Sequence, residues 1–306
     1  MLAVFLKTLP FFALVGLGYA AVRLRLFTAE GTRWLTQFVF FFPLSALLFG
    51  FAARLPLERL FDARLALAWL GACVAVYALV MAVGRWRGCS PGEAGIEAQC
   101  ATIGNTGFFG IPLIVALAGP EVVPPLLLML MLDSVIFPIV ITIIVAGSRG
   151  RVRLATLGVV ALRVVQNPMI LAVAAGLGWS AAGWPLSGPL DDFVAMLAAA
   201  ATPCALFAIG ASLAGKSAER LQVAAWLSFG KLALLPLAAL VAATLAGLDP
   251  FTRAMVVINA AMPVAGNVYM LATYYGLAPQ RVSSAILIST AASVITLPLV
   301  LHAVLP

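Results

Sequence analysis

The chain has 306 residues, of which 64% are hydrophobic and 9% charged, and its mean hydropathy is +1.13. Soluble domains carry about 25% charged residues, so a soluble globular protein is excluded and lipid is the expected solvent. The formal net charge of +7 needs no nucleic-acid partner, because arginines on the inner face of a membrane account for it.

Ten apolar stretches follow in order: 2–22, 32–53, 64–84, 94–118, 121–146, 160–182, 191–214, 221–247, 252–276 and 282–304. Each is near the ~20 residues that cross a hydrocarbon core. They are numbered spans 1 to 10 below. Span 1, with Lys7 as its charge, is too long for a signal peptide and shows no small-residue cleavage pattern, so it is expected to remain as a helix. Pro43, Pro138, Pro236 and Pro298 are expected to kink their helices. The cluster Phe40-Phe41-Phe42 is expected to face lipid or a dimer seam. Cys73, Cys89, Cys100 and Cys204 show no metal or redox spacing, and no metal or cofactor is expected.

The distribution of basic residues gives an orientation. With the N-terminus outside, Arg23, Arg25, Arg33, Arg85, Arg87, Arg149, Arg151, Arg153, Arg163, Lys216, Arg220 and Arg281 fall inside. Lys7, Arg54, Arg59, Arg64 and Arg253 fall outside. Both termini are therefore expected outside an inner (cell) membrane. The weak point is the loop between spans 2 and 3, which carries three of the outside arginines.

Spans 4 and 9 are interrupted. Span 4 contains Gly104-Asn105-Thr106-Gly107-Phe108-Phe109-Gly110-Ile111-Pro112, and span 9 contains Asn259-Ala260-Ala261-Met262-Pro263-Val264-Ala265-Gly266-Asn267. An opened backbone in hydrocarbon leaves N–H and C=O groups unpaired at several kcal/mol each, so such breaks line a cavity or pack against protein. Both are the fourth span of a set of five, and the sets run in opposite directions. The chain therefore reads as an all-α integral membrane protein: ten transmembrane helices in two inverted five-helix repeats, 1–150 and 151–306, with broken crossing helices 4 and 9. Paired interrupted segments point to the binding site of a secondary transporter. Half-helix N-termini there attract an anion.

Candidate residues follow from depth and type. Asn105, Thr106, Asn259, Asn267 and Tyr269 are the candidates for substrate contact, asparagine offering a donor and an acceptor without a buried charge. Helix capping is the competing role for the asparagines. Gly104, Gly107, Pro112, Pro263 and Gly266 shape the crossing. Asp133 stands out as the acid well inside a span, at a cost of at least ~2.5 kcal/mol, and is the candidate proton or cation coupling site. Lys231, about 15 Å along its helix, either pairs with Asp133, faces the substrate or snorkels to the inner surface. Gln37, Gln99 and Gln166 carry no specific signal. An intramembrane enzyme would need paired aspartates or a nucleophile with a base, which one deep aspartate and no intramembrane histidine do not provide.

Two stretches carry a resemblance. Asn105-Thr106-Gly107-Phe108-Phe109-Gly110-Ile111-Pro112-Leu113 and Met262-Pro263-Val264-Ala265-Gly266-Asn267-Val268-Tyr269-Met270-Leu271-Ala272-Thr273-Tyr274-Tyr275-Gly276 resemble the helix-4 and helix-9 signatures of the auxin efflux carrier family. Asn167-Pro168, Thr202-Pro203 and Ile209-Gly210 are also similar. The resemblance covers essentially the whole chain. It implies a fold like that of the bile acid–sodium symporters, with scaffold helices 1, 2, 6 and 7 (about 2–53 and 160–214). Helices 3–5 and 8–10 (about 64–146 and 221–304) would form a transport domain. It also implies a homodimer through the scaffold, an elevator-like motion and a small organic anion such as malonate, malate or an auxin-like acid as substrate. It favours a proton, or no coupling ion, over sodium. The long central loop of the plant PIN members is absent; residues 147–159 stand in its place. A sodium-coupled symporter of the bile acid type and a channel or sensor on the same fold are the alternatives.

Overall fold

The computed structural model describes residues 2–56, 61–148, 158, 162, 166–215 and 221–304, with side chains from residue 5 onward. The orientation arguments made on Arg59, Arg149, Arg151, Arg153, Arg163, Lys216 and Arg220 lie outside these residues.

The described chain is helical throughout, its one β feature being an isolated antiparallel bridge between Gly104 and Val264. Among the described residues seven helical stretches are long and apolar enough to cross a membrane: Phe5–Arg23, Ala29–Ala53, Ala63–Trp86, Pro120–Ser148, Pro189–Ala214, Leu221–Leu245 and Pro279–Val304. Spans 4 and 9 fall short of that length, and span 6 is described only in part. Span 4 is cut into Pro91–Thr102 and Ile111–Ala118, and span 9 into Pro250–Ala260 and Gly266–Tyr275. Of span 6 the helix Pro168–Ala181 is described.

Local chemistry explains most helix starts. Thr28 accepts from the Gly31 amide at 2.9 Å, and Asp62 from the Arg64 and Leu65 amides at 2.8 and 3.1 Å. Ser90 and Glu93 form a reciprocal capping box, with Pro91 in the first turn. Asn167 and Asp249 cap helices that open on Pro168 and Pro250. Each cap satisfies amides that a helix leaves unpaired. The hydrogen bonds that Asp249 accepts from Thr252 hold its carboxyl below the usual range.

The prolines do different things. Pro138 and Pro298 lie inside continuous helices. Pro43 opens a second helix after Phe42 ends the first, and Pro236 follows a π turn at Gly230–Leu234.

Packing divides the helices. Span 1 packs most extensively on span 7, and Pro43–Ala53 on Pro168–Ala181. Spans 3, 4, 5, 8, 9 and 10 pack mainly on one another. Where span 2 ends and span 7 begins, Arg54 pairs with Asp191.

Asp133 is not the one deep acid. Glu97 is also fully buried, bonded to Arg87 at 2.9 Å and to Arg281 at 2.8 Å. Its helix begins at Pro91, earlier than the stretch from 94, which carries Glu97 nearly two turns in. The pairing arginines come from the end of span 3 and the start of span 10, so the contact is invisible to local pattern.

Candidate functional site

The two breaks meet each other. The Asn105 amide donates to the Pro263 carbonyl at 2.8 Å, and the Ala265 amide donates to the Ile103 carbonyl at 3.1 Å. The Val264 amide donates to the Ser289 hydroxyl in span 10 at 3.1 Å. Backbone groups released by one break are thus taken up by the other and by a serine, which is how an open backbone survives in hydrocarbon.

Beyond the seam both chains return to helix without a side-chain cap. Asn105 precedes a π turn at Thr106–Gly110 that runs into Ile111–Ala118, and Ala265 precedes Gly266–Tyr275. Uncapped first-turn amides carry partial positive charge. Both starts border a cavity of about 1390 Å³.

Gly104, Asn105, Gly107 and Phe108 line the cavity from the first break, and Ala265, Gly266, Asn267 and Tyr269 from the second. Thr36, Gln37, Ser134, Thr142, Asn167, Ser212, Tyr274, Tyr275 and Ser283 add further polar groups. Among the described residues every lining side chain is neutral. The arrangement can hold an anion on amides and hydroxyls while leaving its release free of a buried counter-charge.

The predicted residues separate into two sets. Asn105 is half-buried, while Asn267 and Tyr269 are exposed to the cavity. Thr106 and Asn259 are buried beside the seam instead: the Thr106 hydroxyl donates to Asn259 Oδ1 at 2.7 Å, and Asn259 Nδ2 donates to Met129 Sδ at 3.5 Å. They tie the two breaks together from behind. Pro263 supplies a seam carbonyl, and Pro112 sits in the first turn of Ile111–Ala118.

Comparison with known proteins decides the class. The model of a family described as membrane transport protein matches residues 3–301. The chain belongs to that family. It is similar to a "Putative malonate transporter" of Rhizobium meliloti (strain 1021), 33% identical over 294 residues that cover 94% of this chain and 92% of the relative. It is also similar to the "Uncharacterized transporter YfdV" of Escherichia coli (strain K12), 24% identical over 303 residues covering 95% and 94%. The resemblance to the auxin efflux carriers is borne out by this membership. The protein is a multi-pass membrane transporter, and not an enzyme.

Two charged residues of the transporter stand behind the seam. Asp133 is buried and accepts from Trp69 Nε1 at 2.7 Å, while its second oxygen has no hydrogen-bond partner among the described residues. Lys231 is fully buried and donates to the Ala260 carbonyl. Of the three roles open to Lys231, the ion pair with Asp133 is not formed and the side chain does not snorkel; the π turn at Gly230–Leu234 places it at the end of Pro250–Ala260.

The expectation that Phe40-Phe41-Phe42 faces lipid or a dimer seam is corrected for two of its three residues. Phe40 and Phe41 line the cavity, and Phe40 stacks on Phe108 with centroids 6.0 Å apart and planes 6° apart. A benzyl ring beside a cavity wall is as well buried as one in lipid, so composition alone did not distinguish the two. Gln37 lines the cavity, whereas Gln99 is buried and donates to the Phe137 carbonyl at 2.7 Å. Ser134, Pro138 and Thr142 share one helical face by four-residue spacing, a signal that would have located the span 5 wall. Trp69 had no comparable signal.

Proposed function

We propose that this transporter is a secondary carrier of a small organic anion, a carboxylate such as malonate, malate or an auxin-like acid, bound where the two breaks meet. One observation carries the reading: two helices start without side-chain caps at a cavity whose lining, uncharged among the described residues, sets amides and hydroxyls among apolar side chains. Amide-rich helix starts stabilise a carboxylate without a competing cation. The name printed for the Rhizobium relative supports malonate as the first substrate to try.

In this reading Asn105 and Asn267 orient the carboxylate, with Tyr269 at its side. Asp133, whose second oxygen lacks a hydrogen bond among the described residues, carries a proton during the cycle. The chain is two inverted five-helix repeats, 1–150 and 151–306, crossing at the breaks. The preferential packing of span 1 on span 7 and of span 2 on span 6 supports a scaffold against which spans 3–5 and 8–10 move, elevator-fashion. Thr142, Ser212 and Ser283 line the cavity near span ends assigned to the inner side, so the cavity opens inward. A homodimer through the scaffold, in an inner membrane with both termini outside, completes the proposal.

The test is uptake of radiolabelled malonate, malate, lactate and indole-3-acetate into proteoliposomes under imposed proton or sodium gradients. Gradient-driven uptake of one acid is expected, reduced about tenfold or more in Asn105→Ala and Asn267→Ala, the scale of losing a hydrogen bond to a charged group. Uptake indifferent to both substitutions would move the site elsewhere. Concentrative uptake against a gradient would exclude a channel.

A further inference from the structure

Among the described residues Lys231 is the one basic side chain with no exposure, and none of the ion pairs there includes it. An ammonium ion in hydrocarbon is expensive, so its charge must be met by something. It is met by the Ala260 carbonyl, to which Nζ donates. That carbonyl ends the helix Pro250–Ala260, just before the second break, where helix carbonyls lack partners and the dipole is negative. Asp133 and Cys73 are its titratable neighbours.

The same ammonium also meets the first break. A methyl group on Gly104 would come within 3.1 Å of Nζ and 3.2 Å of Cε, so glycine at that position leaves room for the lysine. The side chain is delivered by the π turn Gly230–Leu234, a distortion that recurs at functional sites. One cation therefore binds the end of one interrupted helix and lies beside the break of the other.

In carriers with interrupted helices, unwound carbonyls and half-helix C-terminal ends are what coordinate a coupling sodium ion. Here such a carbonyl is already held by a cation of the same chain. Resting on the transport reading above, we infer that Lys231 is the resident cation of the two breaks: it occupies, beside Ala260 and Gly104, the place a coupling sodium ion would take, and transport runs without sodium.

The experiment uses the full-length protein in detergent and in proteoliposomes, comparing sodium chloride with choline chloride at equal ionic strength. Wild-type melting temperature and malonate uptake are expected to be the same in both salts. Lys231→Ala vacates the place beside the Ala260 carbonyl, and its melting temperature is expected to rise by about 3 °C or more in sodium, as a ligand of the folded state would raise it. Lys231→Arg keeps the charge and is expected to hold uptake within about threefold of wild type, whereas Lys231→Met keeps the bulk alone and loses about tenfold or more. A residue that merely filled space would rank those two variants in the opposite order.

Sodium-dependent uptake or sodium stabilisation of the wild type overturns the inference. So does a Lys231→Ala protein indifferent to sodium, or a Lys231→Met protein as active as wild type. If the variants do not fold, the response of the wild type to sodium decides alone. The melting measurements need no substrate, so a failure to carry malonate would sink the organic-anion reading and leave this inference standing.

Discussion

Two regions of the molecule join helices by opposite means. Spans 1 and 7 touch backbone to backbone: a methyl group on Gly210 would lie 1.8 Å from the Val15 carbonyl oxygen, and one on Gly18 would lie 2.1 Å from that of Phe207. Gly176 approaches the Phe49 carbonyl in the same way, at 2.7 Å. Spans 4, 9 and 10 meet through polar groups instead: the exchanged amides of the breaks, Thr106 on Asn259, Ser289 on Val264, and Glu97 on Arg281. Small-residue contacts gain dispersion energy without directional bonds and leave little room for sliding. Polar seams are directional, because each hydrogen bond depends on distance and angle. Under the elevator-like motion proposed above, the close-packed helices would serve as the frame and the polar seam as part of the moving side.

The comparison is most exposed to failure at Glu97. Glu97→Gln removes the charge that two arginines share, with the Arg281 side chain only 14% exposed. Breaking a buried pair costs about 3 kcal/mol or more, so a fall in melting temperature larger than for the other substitutions below is expected by tryptophan fluorescence. An unchanged melting temperature would mean the polar side of the comparison carries little of the stability.

Gly210→Ala attacks the other side. Its methyl group meets backbone and not a yielding side chain, so the helices must separate, at about 1–3 kcal/mol. The expected readout is a lower melting temperature and aggregation on size exclusion in detergent. A protein as stable as wild type would show that spans 1 and 7 are not locked.

Asp249→Ala probes a cap outside the seam, worth about 1 kcal/mol. The native carboxyl titrates below its ordinary value because Thr252 and Phe251 donate to it. Its contribution is therefore present above the unfolded carboxylate pKa of about 3.9 and lost as pH falls through the lower native value. The melting-temperature gap between Asp249→Ala and wild type is expected to be constant at neutral pH and to close in acid. A gap that widened in acid would refute the assignment.

Gly266→Ala sharpens the contrast with Gly210. Nothing lies within 4 Å of the added methyl group, so stability is expected to change by less than about 0.5 kcal/mol. A large loss would place hidden packing at the start of the second half-helix.

Much of the site was legible because its signals are local. Glycine, proline and asparagine inside apolar spans announce an opened backbone whatever the surroundings, and the breaks at 103–105 and 261–265 lie where those residues put them. Asn105 and Asn267 followed from the same logic and do face the cavity. Thr106 and Asn259 are equally polar and equally close to the breaks, yet they face each other, because helical rotation, not composition, decides direction. The depth of Glu97 depended on a helix starting at Pro91, and Phe40 turned from expected lipid to the cavity wall through contact with Phe108.

By itself the sequence determined the solvent, the interrupted spans and the family: long apolar runs can be stable only in lipid, and a broken helix there must serve a purpose. The tertiary structure alone decided which partners meet. Lys231 on Ala260, Asp133 on Trp69 and Glu97 between two arginines join residues from 10 to 184 positions apart, and such pairings depend on the rotation and depth of whole helices, which no local pattern encodes.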